Sequence, residues 1–169
     1  PDDIEQAWEA IKVAKDSRIH VFTSTSQIHM EHMLRKSKEE VLKDAKESVR
    51  YAKKLCDNIE FSAQDATRTD KDFLIEVLKV AVEEGATTIN VPDTVGYATP
   101  QDYLDLLKAV YDEVKGGNED VIISPYMDGL PQQSDTMILI YKERGHLYEP
   151  ILYRRYDNHK GIIGLYNDS

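Results

Sequence analysis

The sequence predicts an α/β fold built on a parallel sheet, and three observations carry that prediction. Short apolar runs begin near positions 19, 59, 88 and 121, a spacing of roughly 30–40 residues that suits βα units of a barrel or a doubly wound sheet. The second and third runs end abruptly in small polar and acidic residues, with amphipathic helical stretches following. No Gly-x-Gly-x-x-Gly loop follows any run, which disfavours the dinucleotide-binding form of the doubly wound sheet.

The elements follow in order. Residues 1–14 place Ile4, Ala7, Trp8, Ile11 and Ala14 on one helical face, with Asp2 and Asp3 favouring the helix start. Arg18 to Phe22 reads as a strand that ends in the hydroxyl run Thr23-Ser24-Thr25-Ser26. Ser37 and Glu40 form a capping-box pattern, and Val41, Ala45, Val49, Ala52 and Cys56 line the helix that follows. Cys56 on that stripe reads as a small buried apolar residue. His29 and His32 lie between strand and helix at a spacing that suits neither a helical nor a strand metal pair, so they read as solvated or loop-packing residues. Ile59 to Ser62 is the second strand. Thr69 with Asp72 predicts the next helix cap. Phe73, Leu74, Val77, Leu78 and Ala81 supply that helix's stripe and Gly85 its stop. Thr88 to Val91 is the third strand. Thr99 as N-cap, Pro100 at the first helical position and Asp102 start the next helix. Leu104, Leu107, Tyr111 and Val114 continue it to Gly116-Gly117, and Val121 to Ser124 is the fourth strand.

Beyond Ser124 the pattern changes. Runs at 136–141, 146–156 and 162–166, rich in β-branched and aromatic residues, are split by turns at Arg144-Gly145 and 157–161. This predicts an antiparallel meander. Six of the ten tyrosines fall between Tyr126 and Tyr166, which marks a boundary near Pro125 to Gln133. The expected units are residues 1–125 and 126–169.

Bulk properties narrow the function. The 169 residues suffice for one domain with a real core, and 41% hydrophobic with 31% charged residues fit a globular protein. The formal net charge of −10 argues against nucleic acid or an anionic membrane as main partner. No apolar run approaches the ~20 residues that span a bilayer. One cysteine excludes an intrachain disulfide framework, so a cytoplasmic setting is expected. Pro1 leads at once into a helical pattern, as in the interior of a longer protein.

Three segments carry a resemblance to a known family. His20-Val-Phe-Thr-Ser-Thr-Ser-Gln-Ile-His-Met30, Glu60-Phe-Ser-Ala-Gln-Asp-Ala-Thr-Arg-Thr69 and Asn90-Val-Pro-Asp-Thr-Val-Gly-Tyr-Ala-Thr-Pro100 closely resemble the 2-isopropylmalate synthases, relatives of the homocitrate and citramalate synthases. The order and spacing of the segments agree, and the resemblance covers about residues 1–124. It implies an incomplete (β/α)8 TIM barrel of about four βα units followed by a small β-rich tail.

The function it implies is an acyltransferase that condenses acetyl-CoA with 2-oxoisovalerate in leucine biosynthesis. A divalent metal, Mg or Mn, polarises the keto group, the acetyl methyl is deprotonated and attacks, and water cleaves the thioester. The implied partners are acetyl-CoA and a 2-oxo acid, with a homodimer or the complementary barrel half as protein partner.

By resemblance His20 is the catalytic and substrate-facing histidine, against the alternative of a core histidine bonded to backbone. Thr94 holds the keto-acid carboxylate, against a turn or cap hydroxyl. Asp93 orients the loop or caps a backbone N–H. Ser62 and Gln64 line the substrate pocket, although Gln64 stands where the family usually has glutamate. Arg68 serves CoA or other anions, or forms a structural ion pair. At the end of the fourth strand, Tyr126 and Asp128 replace the family's two metal-binding histidines. The expectation is that this chain binds no metal and does not turn over substrate by itself. The competing readings are a non-catalytic binding domain and a chimeric product on a broken barrel.

Overall fold

The computed structural model describes residues 2–116, 118–127, 137–144 and 147–154. The elements in order are α1 (Asp2–Ile11), β1 (Ile19–Ser24), α2 (Gln27–His29, running into a π turn at Met30–Leu34), α3 (Lys38–Lys53), β2 (Ile59–Gln64), a 3₁₀ turn at Ala66–Arg68, α4 (Lys71–Glu83), β3 (Thr88–Asp93), α5 (Pro100–Val110, running into a π turn at Tyr111–Lys115) and β4 (Ile122–Met127). β5 (Met137–Arg144) and β6 (Leu147–Arg154) follow. The first four strands form one parallel sheet in the order β1-β2-β3-β4. β5 and β6 pair antiparallel, Met137 opposite Arg154, as the meander pattern expects. The third expected run, 162–166, lies outside the described residues.

Strand alternation sorts the side chains. Ile19, Val21, Ile59, Phe61, Ala63, Ile89 and Val91 are buried in the same cluster as the apolar stripes of α3 and α4. Val41, Ala45, Val49 and Ala52 on α3 and Leu74, Val77, Leu78 and Ala81 on α4 are fully buried there. Burying each large side chain contributes about 1.5–3 kcal/mol, so this layer carries the stability. α1 contributes less: Ile4, Trp8 and Ile11 pack partly against the core, while Ala7 and Ala14 stay exposed.

The helix starts follow local chemistry. Ser37 Oγ accepts the Glu40 N–H at 3.2 Å, and Glu40 Oε2 accepts the Ser37 N–H at 2.8 Å, closing the capping box. Thr99 Oγ1 accepts the Asp102 N–H at 3.2 Å. The cap of α4 is a correction: Asp70, not Thr69, accepts the Phe73 N–H, at 3.1 Å. Thr69 is committed elsewhere, donating to the Asp65 carbonyl at 2.9 Å with its hydroxyl 2.7 Å from that of Thr25. Gly85 (φ +107°) and Gly116 (φ +51°) end their helices in the left-handed region, where a side chain would be strained.

The strands run further than the apolar runs suggest. β1 extends through Thr23 and Ser24, β2 through Ala63 and Gln64, β3 through Pro92 and Asp93, and β4 through Pro125 to Met127. β4 therefore continues two residues past the boundary expected at 125. The short helical segment at 27–34 lies where the sequence reading placed a loop.

Candidate functional site

The sheet's second face is the place to look, because its residues do not serve the helix-facing core. Register aligns His20 with Glu60, Glu60 with Thr88, and Thr88 with Ile122. One step further along, Phe22 lies opposite Ser62 and Ser62 opposite Asn90. These positions are polar or exposed where the other face is aliphatic and dry. Phe22 is 67% exposed and Ile122 56% exposed.

His20 is half exposed, with Nε2 2.6 Å from Ser62 Oγ. The bond crosses diagonally from β1 to β2, since the register partner of His20 is Glu60. Glu60 Oε1 lies 4.0 Å from the same ring nitrogen. That carboxylate also accepts from Arg18 at 3.0 Å and from the Asn90 amide at 3.3 Å. His20 is therefore bonded to a side chain on the open face and is not a core histidine satisfied by backbone. At the C-terminal end of the strands, Ser24 Oγ donates to Gln64 Oε1 at 2.5 Å, and Ser24 itself is buried. The Gln64 side chain thus keeps one hydrogen-bonding role and carries no charge.

Two turns flank these residues. Asp65 takes a left-handed backbone (φ 65°, ψ 39°), uncommon for a non-glycine residue, and its carboxylate is wholly buried. Arg68 holds it: Nε lies 2.8 and 3.0 Å from the two carboxylate oxygens and a terminal nitrogen 2.7 Å from Oδ2. That hydrogen bond, with the neighbouring negative charge, raises the Arg68 guanidinium further above its ordinary value. Between the alternatives for Arg68, the geometry gives the structural ion pair. His29 Nδ1 lies 3.5 Å from Asp65 Oδ2 and is about one-quarter exposed, whereas His32 is mostly exposed.

The Asp65 N–H donates to Thr94 Oγ1 at 3.0 Å. Asp93 beside it is wholly buried. It accepts the Thr67 hydroxyl at 2.7 Å and the N–H groups of Tyr97 and Ala98 at 3.0 and 3.1 Å. The structure thus joins His20 with Ser62, Gln64 with Ser24, and Thr94 with Asp65. Among the described residues no hydrogen bond links the His20–Ser62 pair to Thr94. Glu60, Asn90 and Ser24 were not singled out from sequence. The period of two that puts them on the face of His20 and Ser62 was the available signal.

Among the described residues no three His, Cys, Asp or Glu side chains group as a ligand set. Asp128 and the Tyr126 side chain, which stand in the family's histidine positions, lie outside the described residues. A pocket of about 450 Å³ opens beside the turns, lined by Thr25, Lys38, Thr67, Arg68 and Tyr97 among others.

A parallel sheet with alternating helices and a polar cluster at the strand ends is the layout of a (β/α)8-barrel enzyme segment. Comparison with known proteins gives the family: the HMGL-like family model matches residues 1–127, and the chain belongs to that family. The 2-isopropylmalate synthase of Clostridium kluyveri is 53% identical over 123 residues, covering 73% of this chain and 24% of that enzyme. The 2-isopropylmalate synthase of Pyrococcus furiosus is 57% identical over 106 residues, covering 63% of this chain and 21% of that enzyme. The chain therefore spans about a quarter of the length of these curated relatives. In the crystal structure of hydroxymethylglutaryl-CoA lyase from Pseudomonas aeruginosa the same fold recurs, with TM-score 0.56 and 16% identity over 71% of this chain and 41% of that chain. The fold is an incomplete TIM barrel with a β-rich tail, as the sequence predicts.

Proposed function

We propose that this chain is part of an acyl-CoA-condensing transferase of the 2-isopropylmalate synthase type, acting on acetyl-CoA and a 2-oxo acid in leucine biosynthesis. The observation that supports this reading is the position of His20 and Ser62. They are hydrogen-bonded on the sheet face left free by the core, within a segment 53% identical to a synthase. In the condensation, the acetyl methyl loses a proton and its carbon bonds to the keto carbon, and the keto oxygen becomes an alkoxide. Water then cleaves the thioester and releases the CoA thiol. The alkoxide needs hydrogen-bond donors already in place. His20, oriented by Ser62, directs its imidazole at that oxygen. Thr94 donates to the carboxylate of the 2-oxo acid, and Gln64 contributes a neutral amide to the pocket wall.

The family's divalent metal does not fit the residues described here, since they supply no set of three ligands and the sequence Ser124-Pro-Tyr-Met-Asp128 at the end of β4 contains no histidine. This, with the uncharged Gln64, is why the chain alone is proposed to be inactive. The partner is a second copy or the complementary part of the barrel. No described helix is long and apolar enough to cross a membrane. The acidic charge and single cysteine support a cytoplasmic enzyme that binds neither membrane nor nucleic acid.

Thiol release from acetyl-CoA in the presence of 2-oxoisovalerate tests this. The chain alone should release none. The chain mixed with the Clostridium kluyveri synthase lacking its matched 123 residues should release thiol, and His20→Ala should abolish that release. A second reading, a binding domain without catalysis, is favoured by the replaced strand end and by Gln64. It predicts 2-oxo acid binding with no thiol release under either condition.

A further inference from the structure

The parallel ladder is uneven. β1 with β2 and β3 with β4 each share six register pairs. β2 with β3 share three, ending at Ser62 opposite Asn90. The sheet therefore parts between the two strand ends that lead into Asp65 and Thr94. Side chains take over where the ladder stops. The Asp65 N–H donates to Thr94 Oγ1 at 3.0 Å, and in the same direction, from the β2 turn to the β3 end, the Thr67 hydroxyl donates to Asp93 Oδ1 at 2.7 Å. The other bonds to Asp93 come from Tyr97 and Ala98 in its own turn. Among the described residues, Thr67 is the donor that reaches this buried carboxylate from the β2 side.

We propose that Thr67 is a positioning residue for substrate binding: by tying Asp93 to the β2 turn, it holds the Thr94 hydroxyl against the Asp65 amide. The consequence is chemical. With the amide N–H on its oxygen, Thr94 has one of its two acceptor sites filled and its hydroxyl proton left to donate, so it meets a carboxylate as a donor. The carboxylate it would meet is that of a 2-oxo acid. That ligand rests on the function proposed above; the coupling of Thr67 to Thr94 does not. A hydrogen bond to a buried carboxyl group leaves that group short of a partner when it is removed, so its loss should be measurable.

The test compares the ¹⁵N-labelled chain with Thr67→Val, which removes the hydroxyl at nearly constant volume, and Thr67→Ser, which keeps it. Thr67→Ala is a second variant, lacking the hydroxyl without an added methyl. Amide hydrogen exchange at Asp65 should quicken about tenfold in the Val and Ala variants and stay near wild type in the Ser variant. Exchange at Phe61 and Ile89 should not change. Affinity for 2-oxoisovalerate should fall about tenfold in the Val and Ala variants and recover in the Ser variant. Unchanged Asp65 exchange, or exchange that quickens equally at Phe61 and Ile89, overturns the proposal. If the wild-type chain does not bind 2-oxoisovalerate, the role given to Thr94 fails, and the exchange data still decide whether Thr67 holds the turn.

Discussion

On the helix-facing side of the sheet, Ile59, Phe61, Ile89 and Val91 are fully buried among the stripes of α3 and α4. On the opposite side of the same sheet His20 is hydrogen-bonded to Ser62 and Gln64 to Ser24, Glu60 lies beside them, and Phe22 and Ile122 are open. One backbone therefore serves two ends. Its first face makes the fold and its second carries the polar cluster proposed to meet the substrate, and alternation keeps the two sets of side chains apart. Mutations on the two faces should separate stability from ligand binding.

The largest effect should come from the buried face. Phe61→Ala removes a fully buried ring and should cost about 3–5 kcal/mol in denaturant unfolding; a value near zero would mean the helix-facing layer is not the core. Asp65→Ala should cost about 2–3 kcal/mol. It strips Arg68 of its buried partner and puts alanine in a left-handed conformation.

The outer helix layer sharpens the contrast through pH. Hydrogen bonds from Arg50, at 2.6 and 2.8 Å, hold the Glu84 carboxyl below its ordinary value. A lowered folded value gives stability that is present above the unfolded value of about 4.3 and is lost as pH falls through the folded one. Glu84→Gln should lower the melting temperature by about 2 °C at neutral pH and flatten this acid limb. The smallest effect belongs to the open face. Phe22→Ser should change stability by less than about 0.5 kcal/mol, and a larger loss would show that the face is packed in solution.

The sequence made the start of each strand legible, because apolar runs at positions 19, 59, 88 and 121 stand out against charged helices. It hid the strand ends. Thr23-Ser24, Ala63-Gln64 and Pro92-Asp93 are extended through pairing with neighbours, which no local propensity announces. The cap of α4 was misread for a related reason: Thr69 and Asp70 are both good caps, and tertiary bonds to Thr25 and Asp65 claim Thr69. The motifs around His20, Ser62 and Thr94 pointed to a site. The diagonal bond from His20 to Ser62 spans 42 residues and depends on register, so it was not legible. The Arg68 alternatives could be separated only once Asp65 was seen buried beneath it.

The most direct measurement is a titration of the ¹⁵N- and methyl-labelled chain with 2-oxoisovalerate, followed by NMR. The account predicts saturable shifts at Ser62, Gln64 and Thr94 and at the His20 ring, with the α3 and α4 stripes unmoved, and their loss in Thr94→Val. No saturable shift at those residues, or shifts spread over the helix-facing side, would contradict the assignment of this face to the substrate.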